Sequence, residues 1–258
     1  MLVNYLARIW TRVQIDAALR DAVVGTKLHA LEGALEHTDR ESSASSRLEV
    51  TDETTIAALR RLHAVQGGHL ACLNFASAKN PGGGFLGGSE AQEESLARSS
   101  GLYPCLLAAP EYYERNRSNR TALYLDLAIW SPLVPFFRDD SGALLDSPFL
   151  ASVLTSPAPN AGAVATNEPA RIDEVEPVLR RRAAFLLAIA AEHGVRRLVL
   201  GAWGCGVFRN DPNVVANIFR ELLCGAGQFS RTFDEVIFAI YDRSPEKLVF
   251  RSFQAALA

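Results

Sequence analysis

The sequence predicts an α/β fold in which helices cover both faces of a mixed central sheet. Two observations predict it. Short apolar strands alternate with helical segments in the second half of the chain, and a turn-forming run, Asp139-Asp140-Ser141-Gly142, separates two apolar segments in the middle. The alternation is typical of parallel strands, whereas the turn indicates an antiparallel hairpin. We therefore expect three layers, α/β/α, around a mixed sheet.

Hydrophobic periodicity and the positions of glycine and proline predict the elements in order. Residues 4–36 follow a helical period, and residues 38–46 form a loop rich in serine and charge. We divide the chain into an N-terminal helical extension, residues 1–46, and a main domain, residues 47–258. Strands are expected at residues 47–50, 69–75, 122–129, 133–138, 149–155, 197–200 and 236–241. Helices are expected after residue 51, at residues 92–99, 103–117, 174–193 and 212–223, and after residue 244.

Composition excludes several classes of protein. Of the 258 residues, 48% are hydrophobic and 21% are charged, and the net charge of −3 provides no global basic field for nucleic acid. No stretch has the length of a membrane span, and the N-terminus lacks the pattern of a secretion signal. The four cysteines form no CxxC pair and fit no zinc template. We expect an intracellular protein with reduced thiols, no membrane partner and no metal.

A glycine-rich loop follows the strand predicted at residues 69–75. Five of the seven residues from 82 to 88 are glycine. Glycine is costly to order and lets the backbone approach a ligand closely, so this density favours a binding loop over a flexible surface loop.

Gln92, Glu93 and Glu94 begin the helix after this loop, where the helix dipole alone also favours carboxylates. Adjacent helical side chains project about 100° apart. Many glycosidases cleave their bond with two carboxyls, an acid and a nucleophile, that flank it. Glu93 and Glu94 are not expected to form such a pair. We expect one carboxyl to do most of the acid and base chemistry and the other to bind sugar hydroxyls.

A second glycine-containing loop, residues 201–211, lies between a predicted strand and a predicted helix. Backbone amides that precede a helix N-terminus suit a diphosphate. The loop is not a dinucleotide fingerprint, because Arg209 occupies the place of the third glycine after Gly204 and Gly206. Neither loop contains the GK[ST] of a P-loop, which counts against a nucleotide-dependent transferase. Phe208 is either a core residue or a cover for a sugar or base.

The triple glycine Gly82 to Gly84, the seven-residue spacer after it and Gln92-Glu93-Glu94 resemble the signature of the poly(ADP-ribose) glycohydrolases. The run from Leu73 to Gly88 is similar to the microbial type of this family, and the similarity extends from about residue 48 to the C-terminus. The resemblance implies that residues 47–258 are a macrodomain-like catalytic domain. It also implies a glycosidase that needs neither metal nor cofactor and acts as a monomer.

The same resemblance implies roles for individual residues. Glu94 would be the catalytic acid, and Glu93 would bind ribose hydroxyls beside the scissile bond. Acid behaviour at neutral pH requires a raised Glu94 pKa, which burial under a nucleotide and the neighbouring Glu93 charge would provide. The expected substrate contacts are Asn74, Asn80, Gly82, Gly83, Gly84, Gln92, Gly204, Cys205, Gly206, Val207 and Phe208. In this assignment the triple glycine lies along the diphosphate and ribose, and Phe208 orders the terminal ribose.

The expected reaction is hydrolysis of the ribose–ribose O-glycosidic bond in poly(ADP-ribose), with ADP-ribose as the product. An enzyme that removes single ADP-ribose units from a modified protein or nucleic acid is the first alternative, since only the leaving group differs. A non-catalytic ADP-ribose-binding module is the second. Such a module needs the glycine loops but not Gln92-Glu93-Glu94, so the intact triplet counts against it.

Overall fold

The structure is a computed structural model that describes residues 14–31, 44–65 and 67–257. Within these residues the chain forms a seven-stranded sheet in the order β1-β4-β5-β3-β6-β7-β2. Its strands are β1 (Lys27–Ala30), β2 (Arg47–Thr51), β3 (Leu70–Phe75), β4 (Leu127–Arg138), β5 (Leu144–Ser156), β6 (Arg197–Leu200) and β7 (Glu235–Ala239). Strand β4 is antiparallel to β1 and β5, and the other neighbouring strands are parallel. The prediction of a mixed sheet is confirmed.

Helices cover both faces of this sheet. They are α1 (Asp16–Gly25), α2 (Thr55–Ala64), α3 (Gln92–Ser99), α4 (Leu102–Leu107), α5 (Pro110–Ser118), α6 (Ala161–Asn167), α7 (Val175–Glu192), α8 (Pro212–Leu223) and α9 (Leu248–Leu257). Apolar residues of α1 to α5 form one core against the sheet, and those of α7 to α9 form the other. Strand β3 contributes to both cores, because Leu70 and Cys72 face one side while Ala71 and Leu73 face the other. The three-layer α/β/α prediction is therefore confirmed.

The prediction of one helical region over residues 4–36 is wrong in its described part. Helix α1 ends at Gly25, and Thr26 is extended, with φ −67° and ψ 132°. The residues that follow form β1, in which Leu28 pairs with Ile129 of β4. Four residues are too few to show a strand period, and their partner lies far along the chain. Residues 4–13 and 32–36 lie outside the described residues, and the domain boundary at residue 46 stays a prediction.

Several other boundaries differ from their predictions, including that of the strand predicted at residues 149–155, which begins at Leu144 as β5. The strands predicted at residues 122–129 and 133–138 are one strand, β4, which begins at Leu127 and is irregular between Ser131 and Val134. The helix predicted at residues 103–117 is interrupted before Pro110, because proline cannot continue the hydrogen bonds of the preceding helix. The last helix begins at Leu248 rather than after residue 244.

A histidine cluster connects β1 to the body of the sheet. His29 of β1 and His193, which follows α7, approach each other with their Nε2 atoms 3.3 Å apart. The His193 ring stacks on Trp130 of β4, with centroids 4.3 Å apart. Burial is the main cause that lowers the pKa of both His29 and His193. The folded protein therefore favours the neutral rings, of which one donates and the other accepts the shared hydrogen bond.

Candidate active site

Three loops meet at the carboxyl ends of β5, β3 and β6, which are adjacent parallel strands. They are residues 157–160, the glycine-rich loop at residues 76–91 and the second glycine loop at residues 201–211. The Ser156 carbonyl accepts hydrogen bonds from Ala76 N at 3.3 Å and from Trp203 Nε1 at 3.1 Å. Carboxyl ends of parallel strands are where ligands bind in open α/β sheets. The fold thus brings together the two glycine loops that the sequence singles out.

Gln92 fixes the start of α3 against the end of β3. Its Oε1 accepts from Phe75 N at 2.9 Å, and its Nε2 donates to Leu73 O at 2.7 Å and to Thr55 Oγ1 at 3.2 Å. Both amide hydrogens are therefore used inside the protein. This geometry favours a positioning role for Gln92 over the expected contact with ribose, because it turns the two following residues toward the glycine-rich loop.

Glu93 is almost completely buried, with 3% of its surface exposed. Its Oε2 accepts from Ser77 N at 2.6 Å, and its Oε1 lies 3.4 Å from Nδ2 of the buried Asn74. Burial, as the largest cause, raises the pKa of Glu93 to about 8 against the effect of these hydrogen bonds, and the charge of Glu94 contributes to the rise. The protonated form of Glu93 therefore predominates at neutral pH.

Asn74 forms the floor beneath Glu93. It is fully buried, and its Nδ2 also donates to Thr155 Oγ1 at 3.2 Å. Its Oδ1 has no hydrogen-bond partner within the described residues. The geometry favours Asn74 as a support for Glu93 more than as a direct ribose contact.

Glu94 faces the turn of the triple glycine. Its Oε1 accepts from Gly84 N at 2.9 Å, and its Oε2 accepts from Ala91 N at 3.2 Å. Gly83 lies directly against this carboxylate and adopts a φ of +61°. An ideal Cβ on Gly83 would lie 2.9 Å from Glu94 Cδ, and 3.1 Å from Glu93 Oε2. Only a residue without a side chain leaves both carboxylates where they are.

The triple glycine uses its amides within the protein. Gly82 N is hydrogen-bonded to Glu93, Gly83 N donates to Asn80 O at 3.0 Å, and Gly84 N donates to Glu94. The exposed Asn80 contributes its backbone to this turn, while its side chain makes no hydrogen bond to the described residues. The loop therefore holds the two acids in place. The expectation that its glycines also lie along a diphosphate stays a prediction.

Free amide donors lie instead in the second glycine loop. The N–H groups of Gly204, Gly206, Val207 and Phe208 have no hydrogen-bond partner among the described residues. Such successive N–H groups form a concave site for anions. Cys205 differs, because its N–H donates to Ala202 O at 3.1 Å and burial raises the pKa of its thiol to about 12. The arrangement suits the diphosphate expected here, with Cys205 as a neutral part of the turn.

The family of the chain follows from comparison with known proteins. The family model described as the microbial-type PARG catalytic domain, where PARG is poly(ADP-ribose) glycohydrolase, matches residues 3–139. The chain belongs to the microbial-type poly(ADP-ribose) glycohydrolases. Comparison with curated proteins found no match.

Solved structures of bacterial glycohydrolases are similar to this one over nearly its whole length. The Thermomonospora curvata enzyme is 48% identical, with a TM-score of 0.86, and the match covers 93% of this chain and 88% of that one. The same enzyme bound to the inhibitor ADP-HPD matches with a TM-score of 0.84 at the same identity and coverage. The Deinococcus radiodurans enzyme in complex with ADP-ribose is 48% identical, with a TM-score of 0.86 and coverage of 92% and 96%. The macrodomain-like fold is confirmed.

Sequence reasoning missed two residues that shape the site of this glycohydrolase. The Tyr124 ring lies 5.9 Å from the half-buried Phe208 ring, and its hydroxyl is hydrogen-bonded to Asn160. Arg182 is fully buried and donates to Asp126 Oδ1 at 2.9 Å and to Pro157 O at 2.7 Å. The Tyr124 backbone has a φ of 58°, a conformation that its surroundings must stabilise. Arg182 contributes by donating to the carbonyls of Leu123 and Tyr124.

The described residues of the glycohydrolase contain no group of three or more His, Cys, Asp or Glu side chains placed to hold a metal ion. All four cysteines are free. Across residues 14–31, 44–65 and 67–257, no helix combines the length and the apolar character that crossing a membrane requires.

Proposed function

We propose that this chain hydrolyses the ribose–ribose O-glycosidic bond of poly(ADP-ribose) and releases ADP-ribose, with Glu94 as the single acid and base. The observation that carries the proposal is the contact of Glu94 with the Gly83–Gly84 turn. This contact holds one carboxyl against the glycine-rich loop, and the adjacent second glycine loop supplies four free backbone amides. Relatives that are 48% identical bind ADP-ribose and the inhibitor ADP-HPD, which supports the choice of substrate.

Glu94 begins the reaction as an acid. It protonates the ribose oxygen that leaves, and positive charge develops on the distal ribose of the bound ADP-ribose unit. The diphosphate of that unit, bound by the four free amides of the second glycine loop, stabilises this charge. The carboxylate of Glu94 then accepts a proton from the water that attacks the positively charged carbon of the distal ribose. One residue thus supplies a proton in the first half of the reaction and removes one in the second.

Glu93 binds the sugar rather than transferring the proton. Its protonated carboxyl can donate one hydrogen bond and accept another, which matches the two vicinal hydroxyls of a ribose. A neutral Glu93 also avoids placing a second negative charge beside the diphosphate. Phe208 and Tyr124 would cover the terminal ribose from the opposite side.

We further propose an intracellular monomer whose macromolecular partners are poly(ADP-ribose) and ADP-ribosylated proteins, without membrane attachment. The four free cysteines support an intracellular location, because exported proteins commonly pair theirs.

The test compares wild type with Glu94→Gln on poly(ADP-ribose) and on a mono-ADP-ribosylated protein. We expect kcat on the polymer to fall by roughly 10² to 10⁴-fold, the usual contribution of an acid and base, while the Kd for ADP-ribose stays within a few-fold of wild type. Glu246→Gln, an identical change at an exposed residue of another loop, is the matched control. Normal polymer turnover by Glu94→Gln would exclude Glu94 as the acid, and a wild type inactive on polymer would exclude the proposed substrate.

A further inference from the structure

The polymer carries a second pyrophosphate close to the bond that is cleaved. The leaving oxygen is the 2′-oxygen of the adenosine ribose in the adjacent unit, and that ribose bears its own 5′-pyrophosphate a few bonds away. An ADP-ribose attached to an amino-acid side chain has no such group on its leaving side. A cationic site beside the acids would therefore distinguish the polymer from a single ADP-ribose unit.

One exposed cation, Lys79, lies on the segment that binds Glu93, and a second exposed cation, Arg117, contacts this segment from a neighbouring helix. Ser77 N donates to Glu93 Oε2, and Ser77 Oγ accepts from Lys79 N at 3.2 Å. Arg117 of α5 donates from Nη1 to Lys79 O at 2.8 Å. Successive Cα atoms are 3.8 Å apart, so the Lys79 Cα lies within about 8 Å of the Ser77 Cα. The backbone that binds the Glu93 carboxylate thus also carries Lys79 and accepts a hydrogen bond from Arg117.

These cations have no carboxylate partner in the part of the chain that the structure describes. Within the described residues neither Lys79 nor Arg117 forms an ion pair, whereas Arg115 on the same helix pairs with Glu111 at 3.3 Å. Glu114 lies one turn before Arg117 but outside ion-pair distance. Arg117 uses a single N–H in its contact with Lys79 O and keeps the rest of its planar donor set for another acceptor. Unpaired charge of this kind suits a phosphate group.

We propose that Lys79 and Arg117 bind the pyrophosphate of the leaving unit of the polymer. The inference rests on the proposed polymer hydrolysis and extends it by a second subsite outside the one for the terminal ADP-ribose. The site attracts the substrate by charge, so it acts mainly on KM and depends on salt. Arg120, which follows α5 and is exposed, adds to the positive potential at this edge.

The test uses the full chain with the double variant Lys79→Gln/Arg117→Gln. The control is Arg220→Gln/Arg251→Gln, which removes from α8 and α9 two exposed arginines that form no ion pair with the described residues. Three quantities are measured: kcat/KM on poly(ADP-ribose) at several salt concentrations, kcat/KM on a mono-ADP-ribosylated protein, and the Kd for ADP-ribose. Glu94→Gln is assayed in parallel.

We expect kcat/KM on the polymer to fall about tenfold or more at low salt in the first variant, mainly through KM, with a shallower salt dependence. Its ADP-ribose affinity and the control variant should match wild type. Unchanged kcat/KM on polymer would overturn the subsite, and so would an equal loss of ADP-ribose affinity, because the cations would then serve the terminal unit. The proposed function fails separately, if wild type does not cleave polymer or Glu94→Gln does.

Discussion

Gly83→Ala is the change whose effect the structure defines most closely. The added Cβ would lie 2.9 Å from Glu94 Cδ and closer still to Oε1, well inside an ordinary contact of at least 3.4 Å. The carboxylate must therefore move by about 1 Å, and a displacement of that size in an active site costs about 10²-fold in rate. The left-handed φ of +61° adds about 1 to 2 kcal/mol of strain, because alanine is disfavoured there. We expect kcat to fall about 100-fold while the protein still folds.

The assay is steady-state hydrolysis of poly(ADP-ribose), accompanied by denaturant unfolding of the same samples. Gly87→Ala is the matched control, since it adds the same methyl to the same loop with no atom within 4 Å. It should keep kcat within a few-fold of wild type. If Gly83→Ala also turned over normally, the Glu94 carboxylate would not depend on this turn, and the assignment of the loop would be refuted.

Two predictions concern pH. The folded pKa of Glu93, about 8 against an ordinary 4.5, means that the wild type loses stability as pH rises through that range. The free energy of unfolding of Glu93→Gln should therefore rise relative to that of wild type between pH 5 and pH 9. The gain should reach up to a few kcal/mol, at about 1.4 kcal/mol per pKa unit. Urea titrations that show a constant difference between the two proteins over this range would contradict the prediction. The pKa values of His29 and His193 are lowered, mainly by burial and also by the charge of Lys27, although the charge of Glu192 raises them. Lowered pKa values make stability rise with pH, which is the opposite of the effect of Glu93. The contribution of the two histidines to the free energy of unfolding should be fully present above the ordinary histidine pKa of 6.5 and should be lost as pH falls below it. His29→Gln should reduce this loss. An unaltered acid transition in the variant would show that the cluster is not responsible.

The parts of the site that the sequence could predict are those encoded locally. Glycine density, the strand before the loop and the carboxylates after it all lie within one stretch of chain. They predict a loop that places acids against bare backbone, which is how Gly83 and Glu94 lie. The sequence does not predict which glycine amides hold the acids and which stay free for a ligand. The difference depends on which amides the protein uses itself, and Gly84 N turns inward while Gly206 N does not.

The rest depends on residues that meet only after folding. Arg182 stands in sequence as the last of three arginines on a helix, and nothing local distinguishes it. Its burial follows from Asp126 and from carbonyls more than twenty residues away, such as Pro157 O. Tyr124 and Phe208 are likewise far apart in the sequence, and only folding brings their rings together. Strand β1 could not be predicted from the sequence for the same reason, because it pairs with residues of β4 that lie far along the chain.

Pairing of β1 with β4 also determines which backbone groups lie at one edge of the sheet. Without Lys27–Ala30, the N–H and C=O groups of β4 from Leu127 to Trp130 would be left open along the sheet margin. An uncovered sheet edge of this kind can pair with strands of other molecules, which leads to aggregation. A shortened protein beginning at residue 47 would keep every acid and amide of the reaction centre, yet lose the short edge strand that covers this part of β4. We therefore expect the shortened protein to aggregate more readily than the full chain, although its reaction centre is unchanged.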